Sequence, residues 1–309
     1  MRQMPQPIPY QGSKRQIAAQ ILTLLPADID TLVEPFAGSA ALSIRAASIG
    51  LARSYYLNDL NGPLMDLVDL IINDPNRIAS DYEYLWHQQL GREREFYDEV
   101  RAQFNETNRP DLLLYLLARC VKASVRYNGA GDFNQSPDNR RKGRRPQSMK
   151  QNILAVSRLL KGRTKITSFD FPATIEDLNP AYDLVYMDPP YQGTSSGRDS
   201  RYCSGVALPV LVKFLERLNT RNVMYALSYD GQKGSRTYGS MLPEGLGLTH
   251  VLIEAGRSTQ STLLGRQDIT HESLYLSSAL IERADSITEK LKKFERRMLA
   301  PTQTEIVFA

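Results

Sequence analysis

Two cysteines, three histidines and one tryptophan in 309 residues leave little material for several kinds of chemistry. Cys120 and Cys203 lack metal-ligand spacing, so neither a disulfide framework nor a zinc site is expected, and a reducing cytoplasm fits. His87, His250 and His271 are too scattered to suggest a metal centre or a His-based triad. No run approaches the ~20 apolar residues of a membrane span. Met1 to Pro5 has no apolar core of the secretory kind, so no signal peptide is expected. Neither sign of charge dominates, with 38 Lys and Arg against 34 Asp and Glu. The placement of charge therefore matters more than its sum. There is no internal repeat, and no G-x-G-x-x-G dinucleotide fingerprint.

What is present begins with a hydrophobic fraction of 42%, enough for an ordinary core. Strand-like and helix-like segments alternate, which predicts an α/β fold with a mostly parallel sheet. The stretch that organises the rest is Asp183 to Tyr191. Asp183 to Met187 reads as a short buried strand. Pro189 and Pro190 cannot continue it, because proline fixes φ and donates no ladder hydrogen bond. The chain must leave the sheet at Asp188 as a stiff corner, at the strand end where open α/β sheets bind ligands. Such a corner suits an exocyclic amino group on a nucleobase, whose lone pair is drawn into the ring. The Asp188 carboxylate and Pro189 carbonyl could accept its two N–H bonds and stabilise positive charge as the nitrogen attacks an electrophile. Tyr191 could stack on the base, which must leave the duplex to be reached. The plain alternative is an ordinary strand-to-turn junction.

Two further strand ends bear on this one. Thr31 to Glu34 reads as a strand, followed by the small-residue turn Pro35 to Ala41 and a helix to about Ile49. Gly38 there would let a ligand approach the backbone and the helix N-terminus. Ser54 to Asp59 reads as a second strand ending in an acid, where a carboxylate would meet ribose hydroxyls. Asp59 could equally cap the following helix, Leu64 to Ile72. Thr164 to Phe169 is a third strand, ending at Asp170. Upstream, Ser13 is a candidate N-cap for a short helix from Ile17 to Leu25, with Tyr10 and Lys14 at its mouth. Lys14 read alone is a snorkelling surface lysine. Downstream, Pro209 to Leu218 predicts a helix, Asn222 to Ser228 a buried strand ending at Tyr229–Gly231, and His250 to Glu254 and Ser273 to Ser277 two more strands. Gly193 to Gly197 and Arg257 to Thr262 read as polar loops, and Ile281 to Leu299 as a charged amphipathic helix.

Between Asp74 and Lys161 the composition shifts to small amphipathic helices and one strongly apolar helix, Leu112 to Val125. Turn-formers and aromatics follow, Arg126 to Asn134, then the basic run Arg140, Arg141, Lys142, Arg144 and Arg145. The run is a solvated loop or a phosphate-contacting surface, and the composition favours the second. Arg126, Asn128 and Asn134 carry the forked or amide groups that pair with base edges.

The order of these parts resembles the Dam-type, alpha-class family of DNA adenine N6-methyltransferases. Tyr10 to Lys14 resembles its N-terminal motif, and Glu34 to Ala40 its glycine-bearing motif, departing at Ala40, where a second glycine is common. Asn58-Asp59 resembles the acidic motif, Asp188 to Tyr191 the catalytic tetrapeptide, and Arg126 to Asn134 the DNA-reading hairpin. The resemblance implies a Rossmann-like sheet that uses S-adenosylmethionine, formed by residues 1–73 and 162–309, with a mainly helical DNA-recognition subdomain at 74–161. It implies cofactor contacts from Tyr10, Lys14, Glu34, Phe36, Gly38, Asp59 and Asp188, with Asp170 beside the adenine ring. It implies catalytic roles for Asp188, Pro189 and Tyr191, and no metal, because a sulfonium arrives already activated. The expected substrate is double-stranded DNA and the expected place the cytoplasm, inside or outside a restriction-modification system with a separate endonuclease. Cytosine N4, an RNA adenine, and a catalytically silent DNA-binding relative stand as alternatives.

Overall fold

The computed structural model describes residues 4–190, 206–233, 236–238, 242–257 and 269–283. Eight strands form one sheet: β1 Ile29–Glu34, β2 Ala52–Asn58, β3 Thr164–Thr167, β4 Leu184–Met187, β5 Met224–Lys233, β6 Arg236–Tyr238, β7 Thr249–Arg257 and β8 Ile269–Leu276. Their order is β3-β2-β1-β4-β5-β8-β7, with β6 paired to β5. The first four pairings are parallel, whereas β8 runs antiparallel to both β5 and β7. This is a doubly wound, Rossmann-like sheet. Its order reverses between β1 and β4, which opens a crevice at their carboxyl ends.

Parallel strands covered on both faces must be apolar throughout rather than alternating. β4 meets this condition, with Leu184, Val185, Tyr186 and Met187 all buried. Its side chains divide by period 2. Leu184 and Tyr186 enter one core with Leu32 and Ala226, and Val185 and Met187 enter the other with Val33 and Leu227. Helices α1 Ala18–Thr23, α2 Ala41–Ser48 and α3 Gly62–Asn73 belong to the first face, and α8 Leu208–Thr220 to the second.

Between α3 and β3 the chain inserts α4 Pro75–Gln88, α5 Glu93–Thr107, α6 Pro110–Arg119 and α7 Pro146–Leu160. The insertion shares the first-face core: Ile78, Tyr82, Leu113 and Met149 cluster with Leu32 and Leu184. Proline at the first turn of α4, α6 and α7 starts each helix where its missing N–H costs nothing. Among the described residues no helix is long and apolar enough to cross a membrane.

Several expected boundaries move. The apolar helix stops at Arg119 rather than Val125, because Cys120 turns extended to pair with Pro137 and Val121 N–H donates to Ser136 O, after which Val121–Ala123 form a separate 3₁₀ turn. β5 does not end at Ser228 but continues to Lys233 through a register shift against β8. Ser13 makes no capping bond, and the expected helix starts as a 3₁₀ turn, Lys14–Gln16, before α1. Helix α9 spans Ser278–Arg283; of the helix expected at Ile281–Leu299, residues 284–299 lie outside the described residues. The loops expected at 193–197 and 258–262 lie outside the described residues, as does Cys203.

Candidate active site

The ends of β1, β2, β3 and β4 meet at the crevice. Asn58, the last residue of β2, is fully buried and joins three of them. Its Nδ2 donates to Pro35 O at 3.1 Å and to Phe169 O at 3.0 Å, while Oδ1 accepts from Phe169 N at 2.9 Å and Thr167 Oγ1 at 2.7 Å. Asp59 then faces the turn after β1. One carboxylate oxygen accepts from Gly38 N at 2.9 Å, the other from Asn61 N at 3.0 Å. Burial raises its pKa. Asp59 does not cap α3; Asn61 does, accepting from Leu64 N at 3.2 Å.

Gly38 has φ +51°, and a Cβ there would lie 3.3 Å from Cε1 of Tyr10, so glycine is needed both for the turn and for the ring against it. Ala40 also takes the left-handed conformation, φ 54°, and has no side chain with which to cap α2. Glu34 performs that task from β1, its Oε1 accepting from Ser43 N at 2.9 Å. The Glu34 carboxyl is buried, and its pKa is pushed up to about 7 by burial, with Asp188 adding to the rise against the Ser43 hydrogen bonds. Glu34 therefore supports the turn from beneath. Phe36 packs on Phe171, ring centroids 4.9 Å apart, and orders the same turn.

Asp188 leaves the sheet beside this group, half-buried, with Pro189 buried and Pro190 exposed. Beneath it the Tyr186 hydroxyl and Ser228 Oγ lie 2.9 Å apart. Lys14 Nζ donates to Asp188 Oδ1 at 2.7 Å. Lys14 had been expected at the cofactor; in the structure it fixes the acid of the tetrapeptide. Burial works to lower the Lys14 pKa, but Asp188 and Glu272 overcome it and hold the ammonium charged.

A family profile described as D12 class N6 adenine-specific DNA methyltransferase matches residues 10–209, and that interval contains every one of these strand-end groups except Glu272 and Ser228. The chain belongs to this family. It is thus an adenine-specific DNA methyltransferase by family. Type II methyltransferase M.MjaIII of Methanocaldococcus jannaschii is 30% identical over 200 residues, covering 59% of this chain and 68% of the relative. Retron Ec67 DNA adenine methylase of Escherichia coli is 27% identical, covering 80% and 90%. Modification methylase StsI of Streptococcus sanguinis is 26% identical, covering 72% of this chain but 35% of the relative. Among solved structures, an rRNA methyltransferase from Streptomyces viridochromogenes aligns over 87% of both chains with a TM-score of 0.39 and 14% identity.

The other expected residues of the methyltransferase fall into two groups. Asp170 is exposed beyond β3, next to Phe169, which is itself 56% exposed, while Leu60 beside Asp59 is 63% exposed. Sequence reading missed this pair; apolar residues flanking acids at two adjacent strand ends were the available signal. Tyr191 lies outside the described residues. The hairpin forms: Tyr127 bridges Phe133, and Asn134 N donates to Arg126 O at 3.0 Å. Asn105 clamps the backbone of Phe133, accepting from its N–H at 2.8 Å and donating to its carbonyl at 3.2 Å. The Asn128 side chain is part of the turn, its Oδ1 accepting from Ala130 N and Asp132 N and its Nδ2 donating to Asp132. Those bonds shape the hairpin, and the residue is exposed. Arg126 Nε donates to Ser124 Oγ at 3.3 Å, and Asn134 is exposed.

The basic run is less uniform than its sequence. Arg140 and Arg141 are exposed and share Asp138, and Lys142 pairs with Glu93 at 2.6 Å. Arg144 is half-buried and donates to Gln6 O at 2.6 Å, while its own carbonyl accepts from Tyr82. Arg144 thus ties the loop to the catalytic body; Arg145 is exposed. Gly143, φ +82°, allows this docking, since a Cβ would lie 3.0 Å from the Tyr82 hydroxyl. Among the described residues, no group of three or more His, Cys, Asp and Glu could hold a metal ion.

Proposed function

We propose that this chain transfers a methyl group from S-adenosylmethionine to N6 of an adenine rotated out of double-stranded DNA at a short specific sequence. The observation that carries the reading is the Asp188 carboxylate on a proline corner at the end of β4, beside the β1–β4 reversal, with the Asp59–Gly38 pair at the neighbouring strand ends. S-adenosylmethionine, when bound, supplies a methyl carbon on positively charged sulfur. The strand-end residues fit it. Both Asp59 oxygens keep a lone pair beyond the backbone bonds they accept, available to ribose hydroxyls. Leu60 and Phe169 offer exposed apolar surface that would hold an adenine ring, and Asp170 would supply an acceptor for its amino group. Gly38 leaves bare backbone where the rest of the ligand would pass.

Asp188 and the Pro189 carbonyl accept the two N–H bonds of the target amino group. The nitrogen lone pair forms the bond to carbon, and the carbon–sulfur electron pair stays with sulfur. The methylated nitrogen, transiently positive, is stabilised by the acceptors and then loses one proton to water. Tyr191 stacks on the extruded base. The insertion grips DNA, Arg140, Arg141 and Arg145 through phosphates and Arg126 and Asn134 through base edges. One relative named as a type II methyltransferase and another named as a modification methylase support a role in protecting DNA from a separately acting endonuclease.

Incubation with labelled methyl donor and duplex DNA, followed by nucleoside identification, tests this. The expected product is N6-methyladenine. Methylcytosine would move the reaction to cytosine, product from RNA alone would move it to RNA, and no product would leave a DNA-binding relative.

A further inference from the structure

Lys14 stands between two acids. Its Nζ is 2.7 Å from Asp188 Oδ1 and 3.8 Å from Glu272 Oε2, and its side chain is only 10% exposed. Glu272 comes from β8, separated from β4 by β5, so carboxylates from non-adjacent strands converge on one ammonium. A cation this far out of water needs acceptors close by. Lys14 has three donors and, among the described residues, a carboxylate at hydrogen-bond length and another slightly beyond it.

We propose that Glu272 is a positioning residue for methyl transfer, the second seat of the Lys14 ammonium, taken when Asp188 accepts an N–H of the target amino group. The inference rests on the role of Asp188 stated above. While Lys14 sits on Asp188, it cancels the charge that must stabilise the amino nitrogen. It also holds a like charge near the positive charge that nitrogen develops. A move of about an ångström toward Glu272 relieves both effects without stranding the ammonium. Bond making and breaking are as described: N–C forms, C–S breaks with its electron pair on sulfur, and one proton leaves the nitrogen for water. Asp188 and Glu272 end as carboxylates and Lys14 as an ammonium. Had Glu272 only a structural part, its loss would lower stability and leave the chemical step alone.

The test uses the full chain with Glu272→Gln, Glu272→Asp, Lys14→Met and the Lys14→Met/Glu272→Gln double variant. Single-turnover methylation at saturating S-adenosylmethionine and duplex is measured with thermal melting and duplex binding by anisotropy. Glu272→Gln should slow the single turnover by about tenfold or more, the scale of one misplaced neighbouring charge. Melting and duplex affinity should hold, and Glu272→Asp should recover most of the rate. In the slower Lys14→Met background, Glu272→Gln should add less than a twofold loss. The Lys14 Nζ resonance of ¹⁵N-lysine protein should shift on adding cognate duplex to wild type and stay put in Glu272→Gln. A wild-type rate for Glu272→Gln would overturn the proposal, as would an undiminished loss in the Lys14→Met background, or a rate loss matched by equal losses in melting and duplex affinity. Methylation by the wild-type chain is read in the same experiment, so failure of the Glu272 inference shows as equal rates between active proteins. Failure of the proposed function shows as an inactive wild type.

Discussion

The Glu34 carboxyl offers the sharpest test of the architecture, because its position beneath α2 has a pH signature. In an unfolded chain it would titrate near 4.5; in the fold it stands at about 7, with burial as the main cause. Since the folded pKa is the higher one, the protonated acid favours folding. That stabilisation is complete below about pH 4.5 and is lost as pH rises toward 7. The loss is about 1.4 kcal/mol per pH unit across the window, roughly 3 kcal/mol in all. Glu34→Gln replaces the acid with a neutral group of the same shape that still accepts from Ser43 N. Urea unfolding of both proteins at pH 5, 6, 7 and 8 should therefore show little difference at the acid end. The variant should gain progressively, reaching an advantage of about 3 kcal/mol at pH 8. A difference that stays constant with pH, or shrinks as pH rises, would mean that the carboxyl is not buried in this way. A large loss of stability in the variant at every pH would mean that the Ser43 bond requires the charge.

Other substitutions probe the remaining parts. Asp188→Ala should abolish single-turnover methylation while duplex affinity, measured by anisotropy, largely survives; an unaltered rate would remove Asp188 from the mechanism. Ala40→Gly should stabilise by about 0.2–1.2 kcal/mol in urea, because left-handed backbone costs an L-residue about 1–2 kcal/mol and the lost buried methyl offsets about 0.8 of it. A destabilised variant would refute the strain assigned to that turn. Arg140→Gln and Arg141→Gln should each reduce the slope of log K against log salt by about 0.9 on any duplex. Arg144→Gln should instead lower the melting temperature, because its guanidinium holds Gln6 O. A lower salt slope with unchanged melting for Arg144→Gln would return that residue to the phosphate-binding set. Asn134→Ala should cost about 1–3 kcal/mol on the cognate site and relax sequence preference; equal weakening on unrelated DNA would place base reading elsewhere.

The chemistry-bearing corner was legible because its residues are local. An apolar run of strand length, an acid and two prolines dictate a strand, its end and a rigid exit without help from distant parts of the chain. The alternation of elements and the helical insertion were legible for the same reason, since periodicity and proline at helix starts act over a few residues. Tertiary structure decided who partners whom. Glu34 ends β1 and Asp59 directly follows β2, yet one turns under α2 to replace the cap that Ala40 lacks, while the other faces the turn after β1. Nothing within a few residues of either distinguishes them. The Asn128 amide also bonds within its own turn, and Asn61 rather than Asp59 caps α3. Lys14 meets Asp188 and Glu272 across separations of 174 and 258 residues. Such pairings depend on sheet order, and sheet order is set by how the two cores pack, which no local pattern records.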